Sequence, residues 1–75
     1  MKFDIRDGIL WKVENAEEKV IVPEGVKEIR SYCFYNDNTI VELILPDGLN
    51  RIGMSNLYCC EKLEVISFPD IQIFP

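Results

Sequence analysis

The sequence predicts a β-rich solenoid, in which short segments of chain stack as repeats around one continuous core. Pro23, Pro46 and Pro69 recur 23 residues apart. The residues one and three positions before each of these prolines are apolar at every occurrence. A unit of this length cannot bury its apolar side alone, so equivalent side chains are expected to stack in ladders along a shared core.

The composition is that of one folded domain with an acidic surface. The chain has 75 residues, of which 48% are hydrophobic, and a formal net charge of −5. A chain of this size buries only roughly 60% of its unfolded surface, so its core must be well used. The negative charge argues against nucleic acid and against anionic membrane surfaces as partners, because both require a basic patch.

The cysteines and the N-terminal residues predict a reducing compartment. The three cysteines, two of them adjacent, do not form the even set of a disulfide framework. Charged side chains interrupt the first residues, where a secretion signal needs an apolar run of at least about 7 residues. No apolar run approaches the roughly 18 residues of a membrane span. We therefore expect a cytoplasmic protein, or a surface or secreted one if the chain is an excerpt of a longer protein.

Residues 1–19 depart from the repeat and predict a β-hairpin cap. Residues 3–5 and 9–13 have period-2 apolar character, which is typical of strands. Between them lie Asp7 and Gly8, a pair that supplies the positive φ angles of a tight hairpin turn. A polar turn follows at residues 14–18 and leads into the first repeat.

The rest of the chain divides into a repeat at 20–42, a repeat at 43–65, and a partial repeat with a C-terminal tail at 66–75. Each proline ends a strand because it lacks the N–H that would continue the ladder, and the acidic residue and glycine after Pro23 and Pro46 supply a turn.

Each full repeat also contains a short segment that is predicted to be helical. Residues 31–36 and 54–59 are too short for an independent helix, so we expect one turn of α- or 3₁₀-helix in each. These turns should place Phe34 and Leu57 in the core. Strands are predicted to follow at residues 40–45 and 63–68.

The second repeat carries a recognisable motif, Ile52-Gly53-x-x-Asn56-Leu57-x-x-Cys60-x-x-Leu63-x-x-Ile66-x-Phe68-Pro69. It resembles the BspA-type leucine-rich repeat, whose unit runs roughly Ile-Gly-x-x-Ala-Phe-x-x-Cys-x-x-Leu-x-x-Ile-x-Ile-Pro. The preceding copy matches at Ile29, Cys33 in the alanine slot, Phe34, Ile40, Leu43, Leu45 and Pro46. The hairpin and the segment 20–26 are similar to the N-terminal lead-in of such proteins. The departures are Arg30 for glycine, Asp37 for cysteine, and Asn56 with Leu57 for the alanine–phenylalanine pair.

The resemblance implies a β-rich leucine-rich-repeat solenoid, α/β in the classification of these repeats, with about two stacked repeats and short helical turns. Proteins with such repeats are mostly bacterial and protozoan surface or cell-associated proteins that adhere to other proteins. They have no shared catalytic site. This inference about function rests on likeness of fold.

Few residues offer catalytic or metal-binding chemistry. The absence of histidine from the sequence removes the commonest general base and a major metal ligand. The cysteines lack the paired spacing of a structural zinc site, and Cys60 occupies a slot that faces the core in the family that the chain resembles. We therefore expect apolar filling by the cysteines, no metal, no cofactor and no enzymatic activity.

Acidic side chains permit two interpretations. Asp37 stands where the next copy has Cys60, and we expect its carboxylate to cap a turn by accepting backbone N–H groups. An acidic set consists of Glu14, Glu17, Glu18, Glu24 and Glu28. This set could imitate phosphate spacing and block a nucleic-acid-binding surface of another protein, or it could simply form solvated turns.

An apolar strip on the outer sheet face is the candidate protein-binding site. If the strands stack in register, Ile21, Ile44 and Ser67 form one outward ladder. Val41 and Val65 border it, and Glu42 and Glu64 lie beside them. Such a strip marks a contact surface in many proteins. Alternatively, it reflects only the preference of strands for β-branched residues.

The C-terminal end of the array predicts self-association. A stack of about two repeats should end in an open apolar cross-section and an unpaired strand at residues 63–68. The candidate contacts for a second subunit are Phe68, Ile71, Ile73 and Phe74, which could alternatively fold back as a cap. We expect a homodimer through this end.

The sequence thus predicts a non-enzymatic protein-binding module whose protein partner is unidentified. One alternative is a small acidic inhibitor that blocks a nucleic-acid-binding surface on another protein. The other is a fragment of a larger bacterial cell-surface adhesin.

Overall fold

The computed structural model describes residues 1–57, 59–68 and 72–73 of the chain. The strands in this part are β1 (Lys2–Arg6), β2 (Ile9–Glu14), β3 (Lys19–Ile21), β4 (Glu28–Ile29), β5 (Glu42–Ile44), β6 (Arg51–Ile52), β7 (Val65–Ser67) and β8 (Gln72–Ile73). They form two sheets, the first ordered β1-β2-β4-β6 and the second β3-β5-β7-β8. The fold is therefore rich in strands, as predicted. Over the same residues, no helix is long and apolar enough to cross a membrane.

The N-terminal hairpin is present as predicted. Strands β1 and β2 pair antiparallel, with Arg6 opposite Ile9 across a two-residue turn. Asp7 has φ 50° and Gly8 has φ 77°, the positive values that a tight primed turn requires. β2 then pairs parallel with β4, so the hairpin occupies the place that a preceding repeat would take.

Three parallel strand pairs, β3–β5, β5–β7 and β4–β6, align residues that are 23 positions apart in the sequence. In the second sheet, Val20 pairs with Leu43 and Leu43 with Ile66, all in parallel strands. In the first sheet, Ile29 pairs with Ile52 at the same step. Parallel strands bring equivalent side chains side by side, so the sequence repeat becomes a set of columns across the molecule.

The core lies between the two sheets and consists of these columns. Its most buried side chains are Leu10, Val20, Val22, Val26, Ile29, Phe34, Ile40, Leu43 and Leu45. Burying a side chain of this size contributes about 1.5–3 kcal/mol, which makes the columns the main source of stability for so short a chain. Pro46 is fully buried beside them.

The segments that were predicted as helical turns have a different structure. Residues 31–36 lie in consecutive β-turns, in which Tyr35 N–H donates to the Tyr32 carbonyl at 3.2 Å and Asp37 N–H to the Phe34 carbonyl at 3.1 Å. Tyr32 has φ 64° and Asn36 has φ 60°. The helix prediction is wrong: left-handed residues at positions 32 and 36 bound the segment and break the run of right-handed residues that a helix needs.

The positive φ angles recur in the following repeat. Ser55 has φ 57° and Cys59 has φ 63°, each 23 residues after its counterpart, Tyr32 or Asn36. The core positions within these turns follow the prediction: Phe34 is 2% exposed, and the half-buried Leu57 packs against the core.

Strand β7 is not the unpaired edge that the sequence predicted. β8 pairs with it antiparallel, with Ile73 opposite Ile66 and Gln72 opposite Ser67. β8 is therefore the edge strand of the second sheet at this end. Two of the predicted oligomer contacts, Ile71 and Phe74, lie outside the described residues.

Candidate functional site

The outer face of the second sheet carries the predicted ladder of Ile21, Ile44 and Ser67. The three residues are paired in register, Ile21 with Ile44 and Ile44 with Ser67. Ile21 is 55% exposed and Ile44 is half-buried, but Ser67 is only 7% exposed. The expectation that Ser67 lies on the open surface is wrong, because β5 and β8 flank this short side chain on both sides. The apolar strip therefore consists of Ile21 and Ile44.

The border of this strip is fixed by a repeated backbone arrangement. The Glu18 carbonyl accepts from the N–H groups of Val41 at 2.7 Å and Glu42 at 2.9 Å. One repeat later, the Val41 carbonyl accepts from Glu64 at 2.8 Å and Val65 at 3.2 Å. Val41, Glu42 and Val65 are half-buried, whereas Glu64 is exposed. The strip is thus narrow, with carboxylates close to its apolar side chains.

Asn56 joins the two turn segments, a role that the sequence analysis missed. Its side chain is 3% exposed and occupies the alanine slot of the repeat motif. Its Oδ1 accepts from Phe34 N–H at 3.2 Å, and its Nδ2 donates to the Arg30 and Gly53 carbonyls, both at 2.8 Å. The sequence feature that could have predicted this role is an asparagine where the repeat motif has alanine, because a buried amide needs hydrogen-bond partners.

Arg30 and Gly53 occupy equivalent positions but have different neighbours. A Cβ on Gly53 would lie 2.6 Å from Ser31 Cα, so only glycine fits there. Arg30 instead lies next to β2, where its backbone N–H donates to the Leu10 carbonyl at 3.1 Å and its Nε to the Trp11 carbonyl at 2.6 Å. The hairpin leaves room for a side chain where a repeat would not, which accounts for arginine in a glycine slot.

Trp11 is placed by a β-bulge. Asp4 pairs with Lys12 and Ile5 pairs with Leu10, so Trp11 is the extra residue of β2. The Arg6 guanidinium lies 4.6 Å and that of Arg30 5.1 Å from the centroid of the Trp11 ring. These cation–π contacts tie the hairpin to the first repeat and occupy the ring.

A second exposed surface, also missed, lies on the turn segments. Tyr32 is 53% exposed, Tyr35 46% and Met54 69%. The two tyrosine rings meet edge to face with centroids 5.6 Å apart, and Tyr32 N–H donates to the Met54 carbonyl at 3.1 Å. Tyrosine and methionine are enriched at protein interfaces, so this surface is a further candidate contact region.

Burial favours the protonated form of two thiols, those of Cys33 and Cys60. Burial raises the pKa of Cys33 from 9.0 to about 11, although Arg30 opposes the rise. Burial also raises the pKa of Cys60, whose Sγ donates to the Phe34 carbonyl at 3.0 Å. A protonated thiol is a poor nucleophile and a poor metal ligand. The described residues contain no group of three or more side chains suited to a metal ion.

Asp37 caps a turn, as predicted. Its Oδ1 accepts from Thr39 N–H at 2.8 Å and from Ile40 N–H at 3.1 Å. The carboxylate thereby orders the chain just before the buried Ile40. Asp37 therefore has a structural role in the turn.

Part of the acidic set is paired within the chain. Glu14 lies 3.7 Å from the Lys12 ammonium, and Glu17 lies 3.9 Å from the N-terminal ammonium. Both pairs are solvent-exposed and contribute little to stability. They do reduce the negative field around residues 14–18.

The columns and the parallel register define a repeat protein, and Ile21 and Ile44 form an apolar strip on its outer sheet face. The chain belongs to the BspA-type leucine-rich repeat family: a family model described as "BspA type Leucine rich repeat region (6 copies)" matches residues 6–74. No curated protein and no solved structure matches the chain. Membership of this family points to a protein-interaction module, and the family is typically non-enzymatic.

Proposed function

We propose that the chain is a short leucine-rich-repeat solenoid that binds a protein partner through the outer face of its second sheet, without catalysing a reaction. The observation that carries this proposal is the in-register pair of Ile21 and Ile44 on neighbouring parallel strands, with Ile21 55% exposed. A β-branched side chain so exposed costs solvation free energy that a partner recovers by covering it.

The residues around the pair fit a protein partner better than other ligands. Lys19 and Glu42 lie side by side in the adjoining row, so the strip has charges of both signs at its edge. Interfaces of this kind combine an apolar centre with a polar rim. The net charge of −5 disfavours nucleic acid and anionic lipid surfaces.

The test is a pull-down with the purified chain as bait, read by mass spectrometry, followed by affinity measurement for each protein captured. Ile21→Asp should abolish capture of the true partner, because the new carboxylate would be desolvated in the interface. Asn38→Asp is the matched control, since it adds the same charge at an exposed turn. Equal capture by the Ile21→Asp bait would overturn the proposal.

Salt dependence separates this proposal from the acidic-inhibitor alternative. Binding through Ile21 and Ile44 should change little as salt rises, whereas charge-driven binding should weaken steeply. Neutralising Glu14, Glu17 and Glu18 together should leave the first kind of binding intact and remove the second.

A further inference from the structure

Exposure rises abruptly along the columns at the repeat that contains β6. In the first sheet, Leu10 is 0% exposed and Ile29 is 1% exposed, but Ile52 in the same column is 44% exposed. Other columns change in the same direction, from a buried member to a half-buried one: Phe34 to Leu57, Ile40 to Leu63 and Leu45 to Phe68. Each of these columns still has an apolar side chain in this repeat, but that side chain is not fully buried.

The incomplete cover is greatest on the first-sheet side of this repeat. On the second sheet, where β8 pairs with β7, Ile66 is 9% and Ser67 7% exposed. On the first sheet, β6 is an edge strand, and Met54 just after it is 69% exposed. We call the surface formed by Ile52, Met54 and Leu57 the open end. It does not include residues 63–68, the strand that is predicted from the sequence to self-associate.

The charge around the open end is balanced, unlike that of the whole chain. No charged residue occurs between Ile52 and Cys60. The charges that flank residues 52–60 in the sequence are Arg51, Glu61, Lys62 and Glu64, two positive and two negative on a chain whose net charge is −5. A second copy can therefore approach this surface without the repulsion that it would meet elsewhere, and opposite charges are available to pair across the contact.

The other edge of the first sheet is protected against strand pairing. Strand β1 carries the charged side chains of Lys2, Asp4 and Arg6, and the hairpin contains the bulge at Trp11. Charged side chains and bulges are the means by which proteins prevent edge-to-edge association. β6 has no bulge in its pairing with β4, and its inward residue is the exposed Ile52. Strand pairing with another molecule is thus disfavoured at the β1 edge of the first sheet and not at the β6 edge.

We propose that a second copy of this chain docks on the open end, with β6 of each copy facing β6 of the other about a two-fold axis. Head-to-tail stacking would bring β6 of one copy against the charged β1 edge of the next. Pairing β6 with β6 is therefore the arrangement that covers both open ends. It also closes the assembly at two copies and prevents fibre growth. A contact of about 800 Å² per partner is standard for stable complexes. That area is roughly a sixth of the 4834 Å² surface of the chain.

The proposal is tested by sedimentation velocity over a concentration series. We expect the wild-type chain to be a reversible dimer with a dissociation constant on the order of 10 μM. Ile52→Asp should weaken the dimer by about 100-fold or more, because it places a carboxylate in the apolar contact. Ile21→Asp is the matched control: it makes the same substitution at a 55% exposed isoleucine on the second sheet and should leave the dimer unchanged.

Circular dichroism of each variant establishes that it is folded. If Ile52→Asp fails to fold, Met54→Asp replaces it, since a 69% exposed side chain contributes little to the core. A wild-type chain that stays monomeric at high micromolar concentration overturns the proposal. So does a dimer that survives the folded open-end variant, or one that is lost in Ile21→Asp instead.

The dimer and the proposed partner binding can fail independently. Ile21→Asp should lose the partner and keep the dimer, whereas Ile52→Asp should lose the dimer and keep the partner. A single variant that removes both would place the two contacts on one surface, contrary to this assignment.

Discussion

Gly53 lies so close to Ser31 that a Cβ on residue 53 would sit 2.6 Å from Ser31 Cα and 2.7 Å from Ser31 Oγ. The approach is held by Gly53 N–H, which donates to the Ile29 carbonyl at 2.7 Å. Successive turn segments therefore pack backbone against backbone, and the glycine is required for space.

The first prediction concerns this approach. Gly53→Ala should lower the free energy of unfolding by about 1–3 kcal/mol, because the added methyl group forces neighbouring backbone to move. Gly48→Ala is the control: there a Cβ would meet only the flexible Lys27 side chain, whose Nζ lies 3.0 Å away. Urea denaturation followed by circular dichroism measures both. Equal stability of the two variants would show that the close approach does not matter.

The second prediction concerns Asn56. Asn56→Ala should cost about 2–3 kcal/mol of stability, because it leaves the Phe34 N–H and the Arg30 and Gly53 carbonyls without their side-chain partner. Asn50→Ala, at an exposed position, should change stability by less than about 0.5 kcal/mol. Chemical denaturation gives the difference. A neutral Asn56→Ala would mean that the alanine typical of this slot serves equally well here.

The third prediction is a loss of stability at alkaline pH. Because burial raises the pKa of Cys33 in the folded chain from 9.0 to about 11, the folded state holds this proton more tightly than the unfolded state. The resulting stabilisation is complete below pH 9.0 and is lost as the pH rises towards about 11. The melting temperature of the wild-type chain should fall more steeply over this window than that of Cys33→Ala. Parallel curves would contradict the raised pKa.

Thiol labelling provides a second check of the same environment. At pH 8, a small alkylating reagent should modify the exposed Cys59 first and Cys33 last, since the thiolate is the reactive form. Peptide mapping by mass spectrometry gives the order. Modification of Cys33 ahead of Cys59 in the folded chain would argue against the burial described here.

The fourth prediction concerns the contact between the hairpin and the first repeat. Arg30→Lys keeps the charge but removes the Nε donor to the Trp11 carbonyl and the planar group over the ring. It should lower stability by about 1 kcal/mol. Trp11, the one tryptophan of the sequence, should also change its fluorescence emission.

Arg51→Lys is the control, since Arg51 is exposed and lies on another strand. It should leave both the stability and the emission unchanged. The proposed role of Arg30 fails if its substitution gives the same result as the control.

Strand pairing was predictable from the sequence because it depends on local chemistry repeated at a fixed step. Pro46 and its counterparts terminate strands, the apolar residues before them face the core, and Asp7-Gly8 permits one kind of turn. The family resemblance follows from the same spacing. Turn capping by Asp37 was also predictable, because its carboxylate acts on backbone groups only two and three residues away.

The turn segments and the exposed surfaces were not predictable in this way. Ser31–Asn36 has a composition that fits a helical turn equally well, and only packing against the next segment selects the left-handed φ angles of Tyr32 and Asn36. The exposure of Met54 and the burial of Ser67 depend on which strands end up beside them. That neighbourhood is set by chain segments far away in the sequence.

The sequence by itself determined that this chain stacks in 23-residue steps and belongs to the BspA-type leucine-rich repeat family, since period and apolar pattern are properties of the linear chain. The tertiary structure decided which sides of the stack are covered. β8 pairs with β7 at the end of the second sheet. In the first sheet, the charged hairpin forms one edge, and Ile52 is exposed on the other. The burial of a repeat depends on which distant segments pack against it. The sequence of one repeat is the same whether or not another repeat packs on it.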